Sequence, residues 1–321
     1  DGSASFQTES ELLAHAMQSI SECVSITDLN DHIVYVNDAF VATYGYEREE
    51  LIGKSIAMLR PETQAADTTD ILEATLKGGW HGEILNMRKN GEVFPVEISS
   101  SVVLDDEDKP TSLVGIAVDI TARHREAARF TRLNECLLSF GADSVDNIRR
   151  IVSLCGELLG GSFARYNRLE GDVLRSVGDW NSTREFETCS RAEGHICHEM
   201  IRGGSQSVNL LRDLHKSRYL QSDPCVSLLG LQTYLGTAVF FDGAVVGAMS
   251  VLYTADVVPD DNDRRILSIV ASAIGVEEER SRVVDALRRS EERYRSLFEN
   301  NVTGVYRTSL DGCMIDCNEA F

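Results

Sequence analysis

Positive charge is scarce in this 321-residue chain: 31 Lys and Arg stand against 51 Asp and Glu, a formal net charge of −20. A surface of that sign repels phosphates, which excludes nucleic acid and anionic membranes as expected partners. There are eight cysteines but no Cys-x-x-Cys pair, so the usual spacing of zinc or iron–sulfur sites is not met and no metal is expected. The cysteines are scattered through a chain too large to need disulfide staples, which fits a reducing cytosol. There is no glycine-rich phosphate loop; Gly203-Gly204 reads as a turn. Nor is there an unbroken membrane-length apolar run. The nearest, Leu231–Tyr253, carries Asp242-Gly243 at its centre, which predicts a type I′ turn between core strands Thr233–Phe241 and Val245–Tyr253. No signal peptide is visible at the start, and a cytoplasmic location is expected.

What is present is a hydrophobic content of 43%, enough for two cores. There is also one long helix. Ile266, Ile269, Ala273, Val276, Arg280, Val283, Leu287, Ser290, Tyr294 and Leu297 alternate spacings of three and four, the heptad seam of a coiled coil. At 1.5 Å per residue, 263–298 would run roughly 50 Å. Pro259-Asp260-Asp261-Asn262-Asp263 supplies caps and acidic charge at its N-terminus. A parallel homodimer is expected through Val276, Val283, Leu287, Tyr294 and Leu297, and through Phe130, Leu133 and Leu137 on a shorter helix of the same pattern, Ala122–Phe140. One surface helix in a monomer is the plainer alternative.

Upstream, helical spacing covers Glu9–Ile20 (Leu12, Leu13, Ala16, Met17, Ile20), followed by strands Val24–Thr27 and Ile33–Val36 around the turn Asp28–Asp31. Asn37 can cap a short helix, Asp38–Tyr44. A helix at Asp67–Lys77 then precedes strands Gly82–Arg88, Glu92–Val103 and Thr111–Asp119. After a second helix, Val145–Leu159, stopped by Gly160-Gly161, come strands Ser162–Leu169 and Val173–Val177. Residues 178–232 read as irregular, with one helix near Ile196–Ile201.

Val36-Asn37-Asp38-Ala39-Phe40, Gly45-Tyr46, Glu50-Leu51-Ile52-Gly53, Trp80-His81-Gly82-Glu83, Lys89-Asn90-Gly91-Glu92 and Asp119-Ile120-Thr121, in that order, resemble a PAS domain. The resemblance implies a five-stranded sheet over a small-molecule pocket, coupled through Asp119-Ile120-Thr121 to an outgoing helix. Gly194-His195-Ile196, Ser207-Val208-Asn209 with Asp213, and Tyr234–Val239 followed by Val246–Val251 are similar to a GAF domain. Thr308–Phe321 aligns without a gap onto Thr27–Phe40, matching at Thr308, Leu310, Asn318, Ala320 and Phe321, so the chain resembles one entering a second PAS domain. The expected fold is α+β, with tandem PAS-like and GAF-like antiparallel sheets of five to six strands joined by long signalling helices. The expected division is a PAS sensor at 10–125, a connector helix at 126–143, a GAF domain at 144–275, a coiled-coil helix at 276–298, and the truncated start of a second PAS domain at 299–321.

Such strings precede histidine kinases, yet His198-Glu199 lacks the Arg and Pro of a phospho-acceptor motif, and neither ATP-binding boxes nor a cyclase signature is present. No catalytic residue is assigned. In the PAS region Phe40, Tyr44, Leu72, Leu76, Trp80 and Asn86 are candidate pocket residues, aromatic walls with one or two polar groups; plain core is the alternative. In the GAF region the candidates, for a ligand or a redox role, are Cys189, His195, Cys197, Tyr219, Cys225 and Gln232. No cofactor is assigned. The loop Gly53–Pro61 lacks the Cys of flavin light sensors, Asp67–Lys77 lacks the His of haem-binding PAS domains, and Cys225 is followed by Val226 where bilin-binding GAF domains have His. The expected function is the input region of a two-component sensor histidine kinase, homodimeric, with an unknown small ligand or redox signal and an output domain outside this sequence. The alternatives are the input region of a diguanylate cyclase or phosphodiesterase, or a haem, flavin or bilin sensor.

Overall fold

The computed structural model describes residue 12 and residues 15–61, 67–182 and 189–321, of which 67–70 and 189–190 are described by backbone alone. Two compact units divide between Ala128 and Arg129.

In the first unit, β1 (Cys23–Thr27), β2 (Ile33–Val36), α1 (Asp38–Tyr44), α2 (Asp67–Leu76), β3 (Trp80–Met87), β4 (Val93–Leu104) and β5 (Pro110–Asp119) build an antiparallel sheet of order β2-β1-β5-β4-β3. Of the helix expected over Glu9–Ile20, Leu12 and residues 15–19 are helical; residues 9–11, 13 and 14 lie outside the described residues. Asn37 caps α1 through its Oδ1, which accepts from the Phe40 and Val24 N–H groups at 3.0 Å each. Its amide Nδ2 donates to the Met17, Ile20 and Glu22 carbonyls at 2.9–3.3 Å. One fully buried side chain thus ties the incoming helix to the first strand. The helix α3 (Thr121–Leu138) carries the chain from one unit to the other.

The second unit comprises α4 (Ser144–Leu158), β6 (Phe163–Glu170), β7 (Val173–Trp180), β8 (Cys189–Arg191), α5 (Ile196–Gly203), β9 (Asn209–Leu211), α6 (Pro224–Leu229), β10 (Thr233–Phe241), β11 (Ala244–Tyr253) and α7 (Asp261–Glu299). Its six-stranded antiparallel sheet has the order β8-β7-β6-β11-β10-β9. Asp242 and Gly243 both adopt positive φ, 48° and 73°, as a type I′ turn requires. The edge strands β8 and β9, three residues each, and α6 fall in the stretch that reads as irregular. Elements this short carry no usable period, and their pairing comes from the sheet. One core, including Tyr166, Met249 and Val251, is covered by α4 and α7. The other, including Tyr234, Ala248 and Leu252, is covered by α5 and α6.

The long helix exceeds its expected span. At 39 residues, α7 is about 58 Å long. Asp260 and Asp263 form a reciprocal capping box at its start. The helix divides in two. Ile266, Leu267, Val270, Ala271 and Ile274 are buried in the unit's own core, and the next seam residues, Ile269 and Ala273, pack against it, so the first turns of the heptad pattern serve intramolecular packing. Beyond them Val276, Val283, Leu287, Tyr294 and Leu297 are 54–69% exposed. The expectation for α3 is corrected. Leu133 is 1% exposed inside the second unit's core, with Phe130 and Leu137 packed against it. Short apolar repeats look alike whether they face another chain or their own domain, and here the domain takes them.

Past α7, β12 (Tyr306–Thr308) and β13 (Met314–Cys317) form a hairpin. It reproduces β1–β2 at a constant offset of 281 (318 − 37 = 281). The pairs Ser25↔Val36, Ile26↔Tyr35 and Thr27↔Ile33 become Tyr306↔Cys317, Arg307↔Asp316 and Thr308↔Met314, with the register shift at the same step. Asn318 repeats Asn37: its Nδ2 donates to Phe298, Asn301 and Thr303 carbonyls, and its Oδ1 accepts from the Val305 N–H.

Candidate ligand-binding sites

The first unit holds a small cavity of about 70 Å³ between its sheet and helices, room for about two waters. Phe40 stacks on Tyr44 at 4.4 Å, and Tyr44 meets Phe94 edge-on at 5.5 Å, fixing an aromatic wall. A polar chain crosses it: Arg60 donates to Asn86 Oδ1 at 2.9 Å, and Asn86 Nδ2 donates to the Tyr44 hydroxyl at 2.6 Å. Burial pushes the Tyr44 phenol up, so it stays protonated at neutral pH. Asp31 also lines the cavity; burial pushes its carboxyl up, partly offset by Arg60. A volume this small is well below the roughly 300 Å³ at which sites for drug-sized ligands begin. A haem, flavin or bilin would therefore require the walls to part.

The second unit holds a larger cavity, about 340 Å³, between its sheet and the helices α5 and α6. β6 contributes Arg165 and Asn167, β10 Tyr234 and β11 Ser250, while Leu228, Leu231 and Leu252 supply apolar wall. Asp223 caps α6 by accepting from the Cys225 N–H at 3.0 Å, and it also accepts from the Ile196 N–H at 2.9 Å. His195 Nδ1 lies 3.1 Å from the same carboxylate. Burial raises the Asp223 pKa, but these three donors outweigh it and hold the carboxyl below its ordinary range. His195, Asp223 and Cys225 bring ligand-type atoms within 4.8 Å of one another, a grouping their hydrogen bonds account for as a buried helix cap. Cys197 takes weak hydrogen bonds from Asn167 at 3.5 Å and shares others with Tyr234 and Ser250. Burial, reinforced by Asp223, pushes both thiols up, Cys225 to about 12. Thiols so placed stay protonated and react slowly.

Behind this cavity, on the other face of β6, Tyr166 and Arg168 meet the long helix. Glu278, 1% exposed, accepts from the Tyr166 hydroxyl at 2.8 Å and from Arg168 Nε and Nη2 at 3.0 and 2.9 Å. Glu277 accepts from Asn147 Nδ2 at 2.9 Å. Strand alternation thus places the cavity groups on one side and the helix lock on the other.

The family model for the PAS domain matches residues 21–122, which coincides with the first sheet. Residues 21–122 are a PAS domain. This PAS domain is homologous to those of signal-sensing proteins. The aerotaxis receptor of Escherichia coli K12 is 34% identical over 100 residues, covering 30% of this chain and 20% of that protein. The bacterioopsin transcriptional activator of Halobacterium salinarum is 23% identical over 239 residues, covering 66% of this chain and 34% of that protein. The chain therefore spans no more than about a third of either relative. Among solved structures, a PAS domain from Colwellia psychrerythraea is 26% identical with a TM-score of 0.34, covering 35% of this chain and 97% of that one.

Of the six residues expected in the PAS pocket, Phe40, Tyr44, Leu72 and Asn86 line the cavity. Leu76 does not: one turn beyond Leu72, it is 42% exposed. Trp80 folds over Gly82 on β3, away from the cavity. In the second unit His195, Cys197 and Cys225 line the cavity. Tyr219 does not: it is buried in the core cluster beneath α5 and α6, its hydroxyl donating to Glu199 at 2.6 Å. Gln232 is also outside, its backbone joining Leu214 to Tyr253. The Cys189 side chain lies outside the described residues. Residue reasoning missed Arg165, Asn167 and Asp223. The Asp223-Pro224 cap signal was available, and so was the two-residue spacing of Arg165 and Asn167. Among the described residues, no helix is long and apolar enough to cross a membrane.

Proposed function

We propose that this chain is the cytoplasmic input region of a larger signal-transduction protein, in which the PAS domain and a GAF-type ligand domain bias paired helices leading to an output domain. The observation that carries this reading is β6. The same strand that lines the 340 Å³ cavity with Arg165 and Asn167 grips α7 through Tyr166 and Arg168. A ligand that fits one position of β6 better than another shifts the population of helix arrangements by that difference in affinity. The constant offset between the two hairpins and their asparagines supports reading 299–321 as the opening of a second PAS domain.

The helix half beyond Gly275 is the relay. Its exposed seam of Val276, Val283, Leu287, Tyr294 and Leu297 is apolar, flanked by charge and repeated in heptads, which fits a second copy of this chain as the occupant. Replacing Val283 and Leu287 with Glu should convert a dimer into a monomer in light scattering. A wild-type chain that is already monomeric, or a double variant that stays dimeric, would sink the seam.

For the output, a histidine kinase is the first reading, carried by the arrangement of sensor domains. The 239-residue match to a transcriptional activator, which reaches beyond the PAS domain, favours a transcriptional output as the second.

A further inference from the structure

We infer that the second unit binds a zinc ion through His195, Asp223 and Cys225, with a fourth position open to its cavity. This goes beyond the sensor reading and does not depend on it. The three residues come from two loops that the fold presses together. Gly194 has a φ of 89°, and a Cβ there would lie 2.6 Å from the Ser222 carbonyl oxygen, so glycine is what lets these backbones touch. The next residues along the two strands of that contact are His195 and Asp223. His195 Nδ1 stands 3.1 Å from Asp223 Oδ1, and His195, Asp223 and Cys225 offer ligand atoms within 4.8 Å of one another. Nitrogen and oxygen ligands about 2.0–2.1 Å from a tetrahedral zinc are roughly 3.3 Å apart, and each is roughly 3.5 Å from a sulfur ligand. The histidine and the carboxylate are therefore already at ligand spacing, and the thiol has at most about 1.3 Å to close (4.8 − 3.5). The contacts of the helix cap preset this arrangement. Asp223 Oδ1 accepts from the Cys225 N–H and Oδ2 from the Ile196 N–H, fixing the carboxylate as hydrogen bonds behind metal ligands do.

Donor chemistry and charge select the ion. Magnesium and calcium take oxygen ligands, whereas a thiolate, an imidazole and a carboxylate together suit zinc. On binding, the Cys225 S–H bond breaks, its proton leaves to solvent, and the sulfur electron pair goes to the metal. His195 binds through Nδ1 and carries its proton on Nε2, exchanged through solvent. Two anionic ligands cancel the two charges of the ion, so the filled site is neutral beside Arg165, which shares the cavity wall. All three ligands line the cavity of about 340 Å³. The fourth position is left to that space, as in zinc sites that keep a water or an exchangeable ligand.

The test is calorimetric zinc titration of the full chain carrying Cys313→Ser and Cys317→Ser, which removes the exposed thiols. One ion per chain should bind with a Kd below about 1 µM. A hundredfold excess of free zinc over Kd should raise the Tm of the second unit by roughly 5–10 °C, reversed by a chelator. Cys225→Ser and His195→Gln should each weaken binding by at least ~10- to 100-fold, whereas Cys197→Ser should not. Cobalt in place of zinc should show a thiolate-to-metal band and the visible bands of a tetrahedral site, and Cys225→Ser should abolish the first. Circular dichroism checks the fold of each variant. Should the variants not fold, X-ray absorption of the zinc-loaded parent chain decides, with one sulfur expected at about 2.3 Å beside nitrogen and oxygen at about 2.0–2.1 Å. A Kd above about 1 µM, an affinity unchanged in Cys225→Ser and His195→Gln, or a zinc shell without sulfur would overturn the site and leave the three residues as a helix cap only.

Discussion

The contact between Glu278 and β6 offers the sharpest perturbation, because it sits where the long helix leaves its core. Glu278 is 1% exposed and accepts three hydrogen bonds, two of them from Arg168. Glu278→Ala strands a buried phenol and a half-buried guanidinium. Breaking a buried ion pair costs about 3–5 kcal/mol. The Arg168 side chain is 24% exposed and also lies 3.6 Å from Glu170, so water and a second partner recover some of that. The expected cost is about 2–4 kcal/mol, or roughly 5–15 °C in Tm for a unit of this size. Replacing both charges, as Glu278→Leu with Arg168→Met, should recover the ion-pair part of the cost and leave about 1–3 kcal/mol for the Tyr166 hydroxyl, which still lacks its acceptor. Urea unfolding followed at Trp180, with Trp80→Phe to silence the first unit, reads this directly. A double variant as unstable as the two single changes added together would refute the pairwise lock.

Asp223→Ala removes the acceptor of three buried donors and should cost about 3 kcal/mol at pH 7. Because the native carboxyl is held low, its stabilisation is present above the ordinary carboxyl range and fades as pH falls through the lowered value, so Tm curves of wild type and variant should converge below about pH 4. Asp31 runs the other way. Its raised pKa means the folded state prefers the protonated acid, so stability is lost as pH rises through the folded value, and Asp31→Asn should raise Tm at pH 7 but not at pH 3. Asparagine also tolerates the φ of 68° at that position. Iodoacetamide at pH 8 should label the exposed Cys313 and Cys317 within minutes and spare Cys197 and Cys225 until unfolding, since the Cys225 thiol, pushed up to about 12, is ionised at only ~1 in 10⁴ and burial pushes the Cys197 thiol up as well. Equal labelling of all four by mass spectrometry would contradict their placement.

Elements with a long period or a strong turn were legible in the sequence. Asp242-Gly243 announces its hairpin, Asn37 its helix cap, and the heptads the long helix, because each depends on local backbone preference. Destination was not legible. Phe130, Leu133 and Leu137 have the spacing of an intermolecular seam, but the same spacing fits the groove of their own unit. The first turns of α7 repeat the lesson. Arg165 and Asn167 alternate with Ala164 and Tyr166 as they would on a solvated strand face; only the placement of α5 and α6 over that face turns it into a cavity wall. Asp223 reads as an ordinary helix cap, and its grip on His195 depends on a loop that carries no local signal.

The two-faced strand also limits how a signal can travel. Arg165, Tyr166 and Asn167 pair in unbroken register with Ser250, Met249 and Ala248 of β11, so a shift of the cavity residues is not absorbed on that side. On the β7 side the register slips between Tyr166 and Asn167, and such irregularities give a strand local freedom. In the proposed relay, displacement of β6 toward a ligand would be taken up at β7 and carried rigidly with β11, dragging the Tyr166 hydroxyl and the Arg168 fork relative to Glu278. At 1% exposed, that carboxylate would have to follow its donors or lose them, and α7 would follow with it.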